Sequence, residues 1–204
     1  QTGIIAADEK TADYVRAAGG DPGDYASWQG DDDADYLAVH EFKATELTPQ
    51  VAAPHSPANS SGVENHTGQN IHQAYIGACT GAKLEDLKMA ARVLKGRKVA
   101  SNVRLLIAPA STRTTAEAAA DGTLATLTAA GAILMPSGCG ACAGYGAGVL
   151  SENEVCIAST ARNFKGRMGP GNSDVYLASP YTVAAAAVAG HIADPREFLN
   201  GGGA

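Results

Sequence analysis

QAYIGACTGAKLEDLKMAARVLKGRKV, residues 73–99, joins two different hydrophobic periods. Residues 73–78 form an apolar run of strand length. From 83 to 95, Leu84, Leu87, Ala91 and Leu94 recur at the spacing of one face of an α-helix. Arg92, Lys95 and Arg97 suit the negative pole of that helix, and its single apolar stripe predicts packing on a sheet. The alternation continues outward, with strand-like runs at 103–108, 132–136, 154–159 and 174–178 and helical patterns near 114–130 and 180–192. The last of these opens with Ser179 as N-cap and Pro180 at the first helical position, and its alanines allow close approach to neighbouring backbone. The pattern predicts an α/β fold built on a doubly wound, mostly parallel sheet.

Toward the amino terminus the composition changes. Residues 1–64 hold 12 acidic and 3 basic side chains, against 9 and 12 over 65–204. The first part offers one helix, Glu9 to Ala18, a strand-like alternation from Val39 to Leu47, and Pro49, Pro54, Pro57 and NSSG in what reads as an extended connector. The expected organisation is an acidic helix-plus-linker segment over 1–64 and an α/β domain over 65–204. The run Asp31-Asp32-Asp33 with Asp35 has no cation-binding spacing and reads as a solvated surface, and the GGGA tail as a frayed end.

The 204 residues carry a net charge of −6, are 45% apolar and 18% charged, and balance as a globular chain rather than a disordered one. Nucleic acid is not the expected partner. The longest apolar stretch, Val183 to Ala189, is too short to span a membrane. The opening QTGIIAADEK shows no secretory pattern and no initiator Met, as a fragment would start. Four cysteines are too few for a secreted disulfide scaffold. Reduced thiols or metal ligands in a cytoplasmic protein are expected.

In open α/β sheets ligands bind beyond the carboxyl ends of the strands, and the unusual residues fall there. Cys79 follows the strand 73–78, Cys139 and Cys142 follow 132–136, and Arg162 and Arg167 follow 154–159. Cys139-Gly140-Ala141-Cys142 is a C-x2-C within the glycine-rich SGCGACAGYGAG, where backbone N–H groups can approach bound sulfur or an anion. With Cys79 the set is three thiols, short of the four of a structural zinc site. Three thiolates on a [4Fe-4S] cluster leave one iron open to substrate. The C-x2-C alone is equally compatible with a redox dithiol, a disulfide or two small buried hydrophobes. Cys156 lies inside a strand and reads as core. Arg162 and Arg167 have the chemistry of a carboxylate clamp. The phosphate-loop and dinucleotide motifs fail on spacing, no G-x-S-x-G occurs, and no histidines pair as His-x3-His.

Taken in order, IGACTG (76–81), LEDLKMAARVLKGRKV (84–99), PSGCGACAG (136–144), EVCIASTARNFKGRMG (154–169) and DVYLASPYTVAAAAVAGHIADPREF (174–198) resemble the large subunit of 3-isopropylmalate dehydratase and its aconitase-superfamily relatives. With GIIAADEKTADYV near the start, the likeness covers essentially the whole chain as the C-terminal half of such a subunit. The resemblance implies an aconitase-like α/β/α domain, a [4Fe-4S] cluster on Cys79, Cys139 and Cys142, and substrate carboxylates on Arg162 and Arg167. It further implies hydro-lyase chemistry on a hydroxy di- or tricarboxylic acid. The catalytic acid and base groups would come from outside these residues, from the N-terminal part of the large subunit and a small swivelling subunit or domain. Family members commonly carry Asn at the positions of Gly81 and Ala161. The alternative expectations are a non-catalytic iron-sulfur or thiol redox-sensing module, and a cluster-free domain with Cys139–Cys142 as a dithiol.

Overall fold

The computed structural model describes residues 3–31 and 33–199. The chain divides into two compact units, residues 1–46 and 47–204. Asp32 of the acidic run and the GGGA tail lie outside the described residues.

In the first unit, α1 (Glu9–Ala17) begins at Asp8, whose carboxylate accepts the Thr11 N–H at 2.9 Å. Arg16 bridges Glu9 and Asp13 on its surface. Asp31, Asp33 and Asp35 are exposed. The strand expected over Val39–Leu47 is absent from these residues: Ala44–Glu46 is a short 3₁₀ turn and Val39 and Phe42 are exposed. Alternation marks a strand only where a neighbouring strand pairs with it and a core receives one face.

The second unit is a seven-stranded sheet. Its strands are β1 (Gln50–Ala52), β2 (Ser60–Gly62), β3 (Gln73–Ile76), β4 (Arg104–Ile107), β5 (Ile133–Leu134), β6 (Val155–Ala158) and β7 (Asp174–Ala178), in the order β2-β1-β7-β6-β3-β4-β5. The strands from β3 to β7 are mutually parallel, as expected, while β1 runs antiparallel to both β2 and β7. The expected boundary after residue 64 is therefore displaced to 46/47, and the stretch taken as a connector is a hairpin on the sheet. Its prolines concealed it: Pro49 precedes β1, and Pro54 and Pro57 lie in the turn, where no ladder N–H is needed.

The helices are α2 (Leu84–Leu94), α3 (Thr112–Ala120), α4 (Thr123–Ala130), α5 (Pro180–Ala189) and α6 (Arg196–Leu199). The single helix expected over 114–130 is two, because Gly122 takes a left-handed φ of 81° between them. On α2 the Asp86 carboxylate accepts the Lys83 N–H, and Leu87, Ala90, Val93 and Leu94 are buried. Ser179 caps α5, whose buried Ala184–Ala187 lets it lie close to α2 and β3. No helix among the described residues is long and apolar enough to cross a membrane.

Strand residues alternate between two cores. Ala74, Ile76, Leu105, Ile107 and Ile157 join the helices in one. Tyr75, Leu106, Ala108, Cys156 and Ala158 form the other with Ala141, Leu150 and Met168. The connections β3–β4–β5 step toward one edge and carry α2, α3 and α4. The next, β5 to β6 to β7, step the opposite way, and a right-handed crossover then lies on the opposite face. That second layer is made of loops, with a 3₁₀ turn at Gly140–Ala143, where an α/β/α arrangement would have helices. Glycine-rich chain cannot hold a long helix there.

Candidate functional site

The strand order reverses between β3 and β6, whose next-door position makes their carboxyl ends the crevice of an open α/β sheet. Cys79 lies just beyond β3 and is exposed, and Arg162 lies just beyond β6 and is exposed. The guanidinium of Arg162 rides over the Phe164 ring, 5.8 Å from its centre. Cys139 is exposed and Cys142 half-buried in the loop after β5, both as free thiols.

Three contacts tie these loops together. Arg167 Nε donates to the Cys142 carbonyl at 2.7 Å, so the second arginine is docked against the C-x2-C turn, with its terminal nitrogens unpartnered among the described residues. The Tyr75 hydroxyl reaches 3.5 Å from the Cys139 carbonyl. Burial pushes this phenol up to about 12, which keeps it protonated as a donor. Ser159, at the end of β6, donates its hydroxyl to the Gly81 carbonyl at 2.7 Å and accepts the Gly77 N–H at 3.2 Å, closing the Cys79 loop.

The loop after β5 also borders a cavity of about 380 Å³ lined by Tyr75, Met135, Cys139, Tyr145 and Gly146 among others. Gly144 is fixed by its φ of 80° and by the Arg167 carbonyl, 2.9 Å from where a Cβ would stand. Gly81 is equally determined: a Cβ would fall 1.9 Å from the Ser159 carbonyl. A side chain at position 81 has no room in this backbone. Cys156 is fully buried, its thiol pushed up to about 12 by burial, as the core reading expects.

The five residues singled out from the sequence all lie on loops that follow the carboxyl ends of strands, and of them Arg167 meets Cys142. Among the described residues, no three His, Cys, Asp or Glu side chains converge as ligands of a single metal ion would. Tyr75 and Ser159 escaped the sequence reading. A strand tyrosine reads as core, and a lone serine after a strand carries no pattern that marks what its hydroxyl will bond.

Fold and residue placement together define a doubly wound α/β domain with free thiols and arginines on the loops beyond the carboxyl ends of its strands. The chain belongs to the aconitase family (aconitate hydratase), which residues 61–190 match. It is 43% identical over 199 residues to 3-isopropylmalate dehydratase large subunit 2 of Archaeoglobus fulgidus, covering 98% of this chain and 48% of that protein. To 3-isopropylmalate dehydratase large subunit 1 of Methanopyrus kandleri it is 46% identical over 199 residues, covering 98% and 47%. The probable methanogen homoaconitase large subunit of Methanosarcina mazei is 46% identical over 198 residues, covering 97% and 49%. The resemblance carried by the motifs thus holds at the level of the family, and the chain spans about half the length of the curated relatives it matches.

Proposed function

We propose that this chain is the cluster-bearing part of a hydro-lyase large subunit that dehydrates and rehydrates a hydroxy di- or tricarboxylic acid. The observation that carries the reading is the docking of Arg167 on the Cys142 carbonyl. It puts a guanidinium, a group whose chemistry suits a carboxylate, against a thiol loop, on the same side of the sheet as Cys79 and Arg162. The donor set suits an iron-sulfur group. Cys79, Cys139 and Cys142 are free thiols, the first two exposed, and Gly138, Gly140 and Gly144 leave the backbone around them without side chains. A cluster attaches each cysteine at a separate iron, so its ligands need not converge as those of one ion do. When bound to three thiolates, a [4Fe-4S] cluster supplies an open iron that acts as a Lewis acid on the substrate hydroxyl.

The chain's own residues would then bind and orient. Arg162 and Arg167 hold the carboxylates through paired N–H donors, and the neutral Tyr75 steadies the C-x2-C loop. The proton-moving groups belong to partners: the remaining part of a large subunit and a small swivelling subunit or domain, consistent with relatives named as large subunits. Ile133 and Leu134 on the edge strand β5 and Tyr145 beside the thiols are exposed apolar surface that the remaining part of the large subunit would cover. The test is anaerobic iron and sulfide content, with an electron paramagnetic resonance spectrum after mild oxidation. The expected result is a three-iron signal in wild type that is lost in Cys142→Ser. Absence of iron would overturn the reading.

The exposed free thiols Cys79 and Cys139 favour a second reading, a redox-sensing module without turnover. It is distinguished by Arg162 and Arg167: a sensor has no need of carboxylate clamps, so citrate would leave its thermal stability unchanged.

A further inference from the structure

All the polar groups of Ser159 are turned to the β3 end of the sheet. Its N–H donates to the Tyr75 carbonyl at 3.0 Å and extends the ladder between β6 and β3 by one step. Its hydroxyl accepts from Gly77 N–H at 3.2 Å and donates to the Gly81 carbonyl at 2.7 Å, so one side chain grips both ends of the segment that carries Cys79. Its carbonyl sits where any side chain at position 81 would have to go. Cys79 and Thr80 are exposed while Gly77, Ala78, Gly81 and Ala82 are buried, so the thiol stands at the tip of a loop whose base Ser159 grips and whose Thr80 carbonyl accepts from Lys83 Nζ at 3.0 Å. Three residues after Ser159 the same connection presents Arg162.

We infer that Ser159 is the positioning residue of the Cys79 thiol, and that it sets the thiol loop and the arginine loop in one register. The inference rests on the reading of Cys79 as a ligand for its functional meaning, though not for its geometry. A hydroxyl suits the task because its single oxygen can donate and accept at once. Alanine would leave the Gly77 N–H and the Gly81 carbonyl without this partner inside a partly buried turn, and the loop would open more often by the worth of about one hydrogen bond.

The experiment is amide hydrogen exchange on the iron-free chain, for wild type, Ser159→Ala and Ser159→Thr, with iron release from the reconstituted chains measured beside it. In Ser159→Ala, exchange over residues 77–82 should quicken by roughly 3- to 10-fold while the rest of the sheet is unchanged. The reconstituted variant should lose iron faster by a similar factor, with an altered three-iron line shape. Ser159→Thr, which keeps the hydroxyl, should return to near wild type. Unchanged exchange over 77–82 in Ser159→Ala would overturn the inference. So would acceleration spread evenly over the sheet, or rapid exchange of the Gly77 amide in wild type, which needs no variant. If wild type takes up no iron, the cluster reading falls and the exchange data still decide the role of Ser159.

Discussion

The two faces of the sheet are made from alternate residues of the same strands and yet are held in different ways. On the helix face, Leu87, Val93, Leu127, Ile157 and the alanines of α5 interlock as a continuous apolar core. On the loop face a smaller core around Tyr75, Leu106 and Met168 is roofed by chain without α-helix. There, position depends on single contacts: the Arg167 Nε, and glycines that no side chain can replace. One face is held by a broad apolar core and the other by a smaller core and single contacts.

Leu87→Ala should break the helix face most severely. The side chain is fully buried against the sheet, and its removal is expected to cost about 2–5 kcal/mol of unfolding free energy, read by urea denaturation followed by circular dichroism. A loss under about 1 kcal/mol would mean that the helix layer does not dominate stability.

On the loop face, Gly148→Ala is expected to cost about 1–3 kcal/mol in the same assay. Gly148 has a φ of 91°, and a Cβ would stand 2.5 Å from Leu106 Cδ1. Its carbonyl also accepts from the buried Gln73 side chain at 2.8 Å, so relief by backbone movement would break that bond. A neutral outcome would show that the roof is looser than its contacts imply.

The difference between the faces is also the difference between what could and could not be read in the sequence. Periodicity reports burial on one side of a regular element, so α2, α5 and the parallel strands were legible with boundaries good to a few residues. The hairpin of β1 and β2 was hidden by prolines that lie outside its paired residues. The break at Gly122 was hidden because a single glycine within an apolar pattern does not announce a left-handed φ. The thiols and arginines were legible as residue types at strand ends. The bonds of Ser159 and Tyr75 were not, since they depend on which loops the reversed strand order brings together.

Carboxylate binding sharpens the comparison with a smaller effect. If Arg162 and Arg167 form the clamp, citrate at about ten times its Kd should stabilise wild type by roughly 1.4 kcal/mol. Arg162→Ala should abolish that gain and leave the ligand-free stability unchanged, because its guanidinium is exposed over Phe164. Arg167→Ala should abolish the gain and also lower the ligand-free melting temperature, since it loses the Cys142 carbonyl bond. Equal ligand response in Arg162→Ala and wild type would remove Arg162 from the site.

The smallest effect lies at the opposite, amino-terminal end of the parallel strands, in a network that touches no thiol loop ligand. Glu154 takes both terminal nitrogens of Arg104 at 2.8 Å and the Ser151 N–H at 2.8 Å. The Arg104 hydrogen bonds hold its carboxyl below the ordinary value of 4.5, burial opposing them. A carboxylate whose pKa is lowered by folding binds fewer protons in the native state than in the unfolded one. Its stabilisation is therefore complete above about 4.5 and is lost as pH falls through the lower native value. Arg104 is 47% exposed, so solvent screens the pair and the loss should stay under about 1 kcal/mol. Unfolding measured between pH 7 and pH 3 should show this acid-side decline, and Glu154→Gln should flatten part of it. Because the pair is remote from the crevice, iron retention at neutral pH should be the same in Glu154→Gln as in wild type. Iron loss there would show that the two ends of the sheet are coupled.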